Sequence, residues 1–150
     1  VKRRMELIYQ ANNIMLYDDY AHHPTEIVTT IEGVAKSFSQ HRIITIFQPH
    51  RISRLNHLFI EFSGAFSRTD KVFVMPIFSA GEQASVQDKT SKDLANEINN
   101  NGGDAITCTS FEHATQTLKD MIKPKDIILL MGAGNITTLS KDIIPIIQNR

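Results

Sequence analysis

The chain has 150 residues, and its sixteen Lys or Arg balance its sixteen Asp or Glu, so the formal net charge is zero. A chain of this length can bury one sizeable core, so we expect a single domain. The balanced charge gives no electrostatic argument for binding nucleic acid or an anionic membrane. No apolar run approaches the roughly 20 residues of a membrane span, and VKRRMELIYQ (1–10) lacks a signal-peptide core. We expect a soluble cytoplasmic domain, cut from a longer protein because it starts at Val.

The N-terminal segment has the pattern of a β-hairpin followed by a helix. Two β-like runs, MELIYQ (5–10) and IMLYDDY (14–20), are separated by ANN, and Asn tolerates the positive φ of a tight turn. After Pro24, apolar residues recur at helical spacing as far as Phe38. The sequence therefore predicts two paired strands and then a helix that begins near Pro24.

The remainder of the chain alternates between apolar runs and amphipathic segments. Buried strands are predicted for RIITIF (42–47), KVFVMPIF (71–78), AITCTS (105–110) and DIILLMG (126–132). Helices are predicted around the apolar stripe 55–66, over 90–103 with Thr90 or Ser91 as cap, from about Ser110 to 122, and over about 135–148. The polar segment 79–89 is predicted to be a loop, and the single Cys108 to be a buried, inert thiol.

Strands that alternate with helices of roughly 10–15 residues favour βαβ units and a parallel sheet. We therefore expect an α/β domain of three layers with a short antiparallel edge. In such sheets, ligands bind at the carboxyl ends of the strands. The segments at these ends are DDYAHHP (18–24), QPHRISR (48–54), PIFSAGE (76–82) and MGAGNI (131–136).

A metal site is the first function to consider for the segment 18–24. Ligand-type side chains are present at Asp18, Asp19, His22, His23, His50 and His57. However, the chain has no HExxH pattern and no Cys/His ligand repeat, and two adjacent His rarely bind one ion together. The alternative, in which some of these His contact a substrate and the others are caps or surface groups, is favoured, and no dedicated metal site is predicted.

Other common sites are also disfavoured. A phosphoacceptor pocket would need a further Asp where Met75 to Phe78 stand, and no nucleophile elbow of a hydrolase is present. The Walker A pattern GxxxxGK[ST] is absent. GAGNI (132–136) lacks the third Gly of a dinucleotide fingerprint. Its glycines are expected to allow a tight strand-to-helix turn, with the free amides of that helix facing an anion.

The segment 48–54 suggests a carboxylate site. Arg51 and Arg54 lie one helical turn apart at the start of a helix, so both guanidinium groups could reach the same space. Positive charge at a helix N-terminus is unfavourable, and an anion between the two Arg would relieve that cost. A planar carboxylate suits a bidentate Arg. The alternative is two solvated surface residues, but their position beside His50 favours function.

The segments VKRR, DDYAHHPTEI, IFQPHRISR and GAGNI, in this order and spacing, resemble the C-terminal domain of the Mur ligases over essentially the whole chain. The resemblance implies a Rossmann-like sandwich, preceded in the parent by a UDP-sugar domain and a P-loop ATPase domain. It also implies ATP-dependent amide formation in peptidoglycan precursor synthesis, through an acyl phosphate. Residues 1–5 would end the hinge from the ATPase domain. Met5 departs from the Phe that usually follows the double Arg.

The resemblance is strongest to the branch that joins L-alanine to UDP-N-acetylmuramate. It implies that Arg51 and Arg54 bind the L-alanine carboxylate, while Tyr20, His22 and His50 line that pocket and orient the amine. No residue of this domain is assigned a catalytic role. The incoming amino acid would be brought to the reaction by closure of this domain.

The same resemblance implies a nucleotide contact for Arg4 at the hinge and for Asp19, which would meet the ATP ribose or base. ATP and Mg²⁺ would be bound mainly by the ATPase domain, so this chain alone is expected to be inactive. Two alternatives remain open: the ligase that recycles murein tripeptide, and a noncatalytic binding module. A GxxxxGK[ST] segment upstream of Val1 would favour a ligase over a module.

Overall fold

The computed structural model describes residues 2–150, and Val1, the first residue of the predicted hinge, lies outside them. Six strands form one sheet: β1 Glu6–Ala11, β2 Ile14–Asp19, β3 Arg42–Phe47, β4 Lys71–Val74, β5 Ala105–Thr107 and β6 Asp126–Met131. The helices are α1 Pro24–Ser37, α2 Ile52–His57, α3 Phe59–Ser63, α4 Ser91–Asn100, α5 Phe111–Met121, a 3₁₀ helix Asn135–Leu139 and α6 Ser140–Gln148.

The sheet order is β1-β2-β6-β3-β4-β5, and only the β1–β2 pair is antiparallel. The hairpin turns through Asn12 and Asn13 at φ 53° and 62°, as Asn permits. The predicted α/β class, with a mostly parallel sheet and an N-terminal antiparallel edge, is confirmed. β6 lies between β2 and β3, although it follows both in the chain.

The three layers result from strands that are buried on both faces. On one face, Ile43 and Phe47 pack among buried residues of α1 to α4; on the other, Ile44 and Ile46 pack against α5 and α6. Burying one such side chain stabilises the fold by roughly 1.5–3 kcal/mol. Truncating the fully buried Ile31 of α1 to Ala would therefore remove about 2–5 kcal/mol. This two-sided packing holds the strand ends in fixed relative positions.

Several element boundaries differ from the predictions, and the strand predicted over 105–110 ends at Thr107. The strand predicted over 71–78 ends at Val74. Pro76, two residues later, has no backbone N–H to donate to the neighbouring strand, so the sheet pairing cannot continue. The single helix predicted around 55–66 is two short helices separated at Leu58, whose φ of −113° is not helical. The helix predicted over 135–148 begins with a 3₁₀ turn and becomes α-helical only at Ser140.

The predicted cap of α4 and the predicted burial of Cys108 are confirmed. Thr90 caps α4 through a reciprocal hydrogen bond with Asp93, and Ser110 caps α5 by accepting from the His113 amide. Cys108 is fully buried, and burial raises the pKa of its thiol to about 11. Within residues 2–150, the helices are all too short or too polar to cross a membrane.

Candidate functional site

The two polar segments come together because three strands end at the same level. Asp19 at the end of β2 pairs with Met131 of β6, and Met131 pairs with Phe47 at the end of β3. The loops that follow β2 and β3 therefore leave the sheet side by side. The rings of His22 and His50 lie 6.1 Å apart between their centroids. As the strand-end rule predicts, residues 18–24 and 48–54 lie side by side, and we refer to them as the two walls of one candidate site.

A cavity of about 370 Å³ lies beside the first of these walls. It is lined by Arg4, Met5, Asp19, Tyr20, Ala21, Thr25, Glu26, Thr29 and Thr30. The cavity thus brings together Arg4 and Asp19, the two residues for which the sequence suggested a nucleotide contact. Tyr20, which is expected in the amino-acid pocket, lies between that pocket and this cavity. It lines the cavity, and its ring contacts the His22 ring edge-on, with centroids 5.0 Å apart.

Asp19 is buried, and its carboxylate is already engaged by the protein. Oδ2 accepts from the Met5 amide at 3.0 Å and from the Thr30 hydroxyl at 3.5 Å, while Oδ1 accepts from the Ala21 amide at 2.8 Å. A charged carboxylate that accepts backbone amides makes strong hydrogen bonds. Asp19 therefore ties the N-terminal segment to the start of α1 and shapes the cavity wall.

Arg3 and Asp18 form a second connection that the sequence analysis missed. Arg3 Nε donates to Asp18 Oδ2 at 3.1 Å, and Nη2 donates to the Gly132 carbonyl at 2.6 Å. The same guanidinium lies 4.9 Å from the centre of the Tyr20 ring. Burial raises the pKa of Asp18 and outweighs the opposing hydrogen bonds from Thr137 and Arg3. Arg3 thus joins the N-terminal segment, β2 and the glycine turn after β6.

The tautomer of His22 follows from its hydrogen bond. Nδ1 lies 3.0 Å from the carbonyl oxygen of Tyr20, which can only accept, so Nδ1 carries the hydrogen. Glu26 Oε1 lies 3.7 Å from the same nitrogen. Nε2 makes no hydrogen bond with any residue in 2–150 and is left as an acceptor.

His50 has the opposite tautomer. Arg54 Nη1, which can only donate, lies 3.1 Å from Nδ1 of His50 and also 3.1 Å from the His50 carbonyl. The hydrogen of the neutral ring is therefore on Nε2. Burial lowers the pKa of His50, and Arg54, His22 and Arg51 act in the same direction. The ring is stacked on Phe78, with centroids 5.4 Å apart and planes within 8°.

Arg51 has an unusual backbone conformation. Its φ of 74° and ψ of 131° are sparsely populated by residues other than Gly and cost of order 1–3 kcal/mol. The conformation is held because the Arg51 amide donates to the Phe78 carbonyl and the Phe78 amide donates to the Pro49 carbonyl, both at 2.8 Å. Such strain is commonly found at binding sites.

The two Arg side chains do not converge as the sequence analysis expected. Arg54 turns back onto His50, whereas Arg51 is half-exposed and lies 4.0 Å from Glu82 Oε2. Glu82 accepts from the Ser53 amide at 3.1 Å and from its hydroxyl at 2.5 Å. These hydrogen bonds from Ser53 hold the pKa of Glu82 below its ordinary value. The loop 79–89 is thereby attached to the first turn of α2.

The glycine turn after β6 supports both walls by allowing close packing. A Cβ on Gly132 would lie 2.9 Å from the Gln48 carbonyl oxygen, and one on Gly134 would lie 2.7 Å from Cγ of Phe78. The expectation that the amides of this turn face an anion is wrong for Ile136, because its amide donates to Gln48 Oε1 at 3.1 Å. The predicted tight turn is present, and it positions Gln48 and Phe78.

The strand-end rule located Asp18, Phe78 and Glu82 within the segments 18–24 and 76–82, but it predicted none of their contacts. No role was predicted for Arg3, although it adjoins Arg4 in the double Arg. The contacts themselves have no local signal in the sequence. Within residues 2–150, no group of three or more His, Cys, Asp or Glu side chains is arranged to hold a metal ion.

Comparison with known proteins identifies the family. Residues 3–134 match the family described as Mur ligase, glutamate ligase domain. A UDP-N-acetylmuramate–L-alanine ligase from Desulforapulum autotrophicum is 39% identical over 148 residues, which are 98% of this chain and 32% of that protein. The chain thus spans about a third of the length of this curated relative.

Solved structures agree with the sequence match. The crystal structure of UDP-N-acetylmuramate-alanine ligase MurC from Thermotoga maritima superposes with a TM-score of 0.80 at 24% identity, over 99% of this chain and 30% of that one. A domain from Haemophilus ducreyi, assigned to a UDP-N-acetylmuramate:L-alanyl-γ-D-glutamyl-diaminopimelate ligase, gives 0.70 at 26% identity, over 95% and 98%. With the family match covering most of its length, the chain belongs to the Mur ligase family and corresponds to that family's C-terminal domain.

Proposed function

We propose that this chain is the C-terminal domain of an ATP-dependent ligase that joins L-alanine to UDP-N-acetylmuramate during peptidoglycan precursor synthesis. The observation that carries the proposal is the adjacency of residues 18–24 and 48–54, with His22 and His50 rings 6.1 Å apart. Family membership and the relative named as an L-alanine ligase support the same activity.

The amino-acid pocket would lie between the two walls. Arg51 is half-exposed, with only a 4.0 Å contact to Glu82, so its guanidinium is available to a substrate carboxylate. Arg54 would act on the same carboxylate through its charge and through His50, whose Nε2–H is a free donor. Tyr20 and His22 would line the side of the pocket where the amine enters. The preformed geometry would reduce the entropy lost on alignment of the amine.

The nucleotide would contact the cavity beside the first wall. Arg4 lines that cavity and would lie against the nucleotide. Asp19 lines it as well, and its carboxylate has lone pairs left after its contacts with the Met5 and Ala21 amides, so it could accept from a ribose hydroxyl. The cavity volume of about 370 Å³ suits part of a nucleotide and leaves the remainder to another domain.

The rest of the reaction would take place largely outside this domain. Residues 2–150 contain no grouped set of metal ligands, so Mg²⁺ would be held mainly by a central ATPase domain that precedes the hinge 1–5. Magnesium would neutralise charge on the ATP phosphates. Closure of this domain would bring L-alanine to the acyl phosphate and exclude water. The cytoplasm remains the predicted location, and no nucleic acid or membrane partner is proposed.

A phosphate-release assay on the full-length protein tests the proposal. We expect ATP turnover that requires both UDP-N-acetylmuramate and L-alanine, with less turnover for serine or glycine. Turnover with the murein tripeptide L-alanyl-γ-D-glutamyl-diaminopimelate but not with L-alanine would contradict the proposal and favour the recycling ligase. Turnover with no amine would contradict both.

The isolated 150-residue chain provides a second test. Because it contains no GxxxxGK[ST] segment, we expect it to form no amide from ATP, UDP-N-acetylmuramate and L-alanine. Amide formation by the purified chain, followed by mass spectrometry, would contradict the division of labour between the domains. Addition of a separately purified upstream ATPase domain is the matching positive control.

A further inference from the structure

We propose that His22 accepts the proton released by the incoming amine, while His50 stays neutral and acts as a hydrogen-bond donor. The proposal rests on the proposed function, because it assigns a chemical role within the same pocket. It is carried by the opposite tautomers of two rings that lie 6.1 Å apart.

The reaction requires a base because an amino acid is an ammonium ion at neutral pH and has no lone pair with which to attack. A positioned side chain that takes this proton contributes about 10²–10⁴-fold to the rate. The titratable side chains around the contact between the two walls include Tyr20, His22, Glu26 and His50. Only one of them offers an unoccupied acceptor nitrogen.

His22 is prepared to accept a proton on Nε2. Its Nδ1–H is fixed by the Tyr20 carbonyl at 3.0 Å, so the lone pair of the neutral ring is on Nε2. When Nε2 takes up a proton, the Tyr20 carbonyl keeps its hydrogen bond and no partner is lost. Glu26 Oε1, 3.7 Å from Nδ1, then provides a negative charge beside the imidazolium.

Neither neighbour can replace His22. His50 receives a hydrogen bond from Arg54 on Nδ1, so a second proton there would face a cation, and burial with Arg54 lowers the pKa of His50. Burial acts to raise the pKa of Glu26, but the amides of His22 and His23 outweigh it and hold that pKa below its ordinary value. Glu26 therefore remains an anion and accepts from those amides at 3.2 and 3.1 Å.

The charges around His22 come from three parts of the chain. Glu26 and His23 belong to the start of α1, and His50 with Arg51 and Arg54 follows β3. The guanidinium of Arg3 lies over the Tyr20 ring, 4.9 Å from its centre, and is paired with Asp18. Arg51 has only the 4.0 Å contact with Glu82, and Arg54 donates to His50 rather than to a carboxylate, so a substrate carboxylate at residues 51 and 54 would meet two guanidinium groups.

One proton of the ammonium passes to Nε2 of His22, and the freed lone pair forms the C–N bond with the acyl phosphate. The C–O bond to phosphate breaks, and its electron pair leaves with the phosphate. A second proton of the nitrogen goes to the departing phosphate. The products are the amide, hydrogen phosphate and a His22 imidazolium, which returns its proton to water.

The decisive experiment is the pH dependence of the His22→Gln variant of the full-length enzyme. Gln can keep a hydrogen bond but cannot take up a proton. We expect kcat/KM for L-alanine to fall about 10²–10³-fold at about pH 7. The deficit should shrink to about tenfold or less near pH 9.5, where more of the amine is already free. The KM for ATP should stay unchanged.

His57→Gln is the matched control, because His57 is exposed on α2 and outside both walls; it should behave like the unmodified enzyme at every pH. A loss for His22→Gln that is the same at all pH values would show a purely positional role and overturn the proposal. So would the absence of any loss.

Two further measurements distinguish failure of this proposal from failure of the proposed function and from misfolding of the variant. If the unmodified enzyme uses only the tripeptide, the proposed function fails, but the same pH series with the tripeptide amine still tests His22. In the 150-residue chain, ¹⁵N NMR of the imidazole rings should show His22 protonated on Nδ1 and His50 on Nε2 at neutral pH. The reverse tautomers would overturn the proposal without any activity measurement.

Discussion

The two walls of the site are built on different principles. In the first wall, residues 18–24, the buried Asp19 carboxylate is bound by two backbone amides and a hydroxyl, and the loop leads into a helix with Pro24 in its first turn. In the second wall, residues 48–54, Arg51 is half-exposed in a strained conformation and α2 has no side-chain cap. In the first wall the Asp19 carboxylate is already held by the protein, whereas in the second wall the Arg51 guanidinium has only a distant partner.

This difference separates stability from binding. A group whose partners are all within the protein contributes mainly to folding, and removing it leaves buried donors unpaired. A strained, exposed cation contributes little to the free energy of folding. Its favourable interactions form only when a ligand binds. The following substitutions test this division, from the largest expected effect to the smallest.

Replacing Asp19 by Ala should destabilise the fold most. The Met5 and Ala21 amides would lose their acceptor, and each unsatisfied buried group costs about 1–3 kcal/mol. We expect the free energy of unfolding in urea to fall by about 2–4 kcal/mol. Glu32→Ala, on the exposed face of α1, is the control and should change it by less than about 0.5 kcal/mol. Equal effects for both variants would show that Asp19 is not structural.

The milder Asp19→Asn substitution retains an acceptor oxygen and addresses the nucleotide. In the full-length enzyme it should raise the KM for ATP more than that for L-alanine, because Asp19 lines the cavity shared with Arg4. If only alanine use suffers, the two ligands have been assigned to the wrong walls.

Arg51 should show the opposite behaviour. Loss of a charge-assisted carboxylate contact worth about 1.5–3 kcal/mol predicts that Arg51→Ala raises the KM for L-alanine about 10–100-fold. Its unfolding free energy should stay within about 0.5 kcal/mol of the unmodified protein, since Ala keeps the strained backbone. Arg51→Gly should bind alanine as poorly but gain about 1 kcal/mol of stability, because Gly tolerates φ 74°. An unchanged KM for alanine would remove Arg51 from the pocket.

Arg54 should lower the pKa of His50. Replacing Arg54 by Met removes a cation and the donor to Nδ1, so the His50 pKa should rise toward its ordinary value of 6.5. In the unmodified protein the folded pKa lies below 6.5, so His50 should reduce stability as pH falls below 6.5, and Arg54→Met should lessen that effect. NMR titration measures the pKa, and Arg68→Met, on the surface, is the control. No rise in the pKa would contradict the assigned contact.

The smallest effect is expected from Glu82. Its pKa is lowered by hydrogen bonds from Ser53, so the attachment of the loop 79–89 to α2 should be complete above the ordinary value of 4.5 and lost as pH falls through the lowered pKa. Glu82→Gln should weaken the attachment above pH 4.5, with hydrogen exchange at the Ser53 amide faster by about threefold, and should make little difference at lower pH. Exchange that is insensitive to both changes would show that the loop is held by other contacts.

The sequence predicted the sheet well because its strands are buried on both faces and stand out as continuous apolar runs. RIITIF coincides with β3. The boundary errors arose where local pattern and tertiary packing disagree. The apolar run 71–78 continues beyond Val74, but the backbone at Pro76 cannot join the ladder. The apolar stripe continues through Leu58, but the helix is interrupted there. Nothing in the sequence indicates this interruption.

The sequence predicted which loops lie at the candidate site, but not which side chains contact one another there. The strand-end rule located residues 18–24 and 48–54, because it needs only the order of strands and helices. It could not indicate that Arg54 turns onto His50, since a spacing of three residues fixes a helix face and not a rotamer. The role of Arg3 was equally hidden, because its partner Gly132 is 129 residues away in the chain.

The position of β6 between β2 and β3 has a consequence for how the domain forms during synthesis. Both walls are synthesised before β6, the strand that holds them at the same level, which begins at residue 126. Until β6 is present, β2 and β3 have no shared neighbour, so nothing in the sheet holds the two walls at the same level. The strand that completes the sheet is therefore also the strand that brings the two walls together.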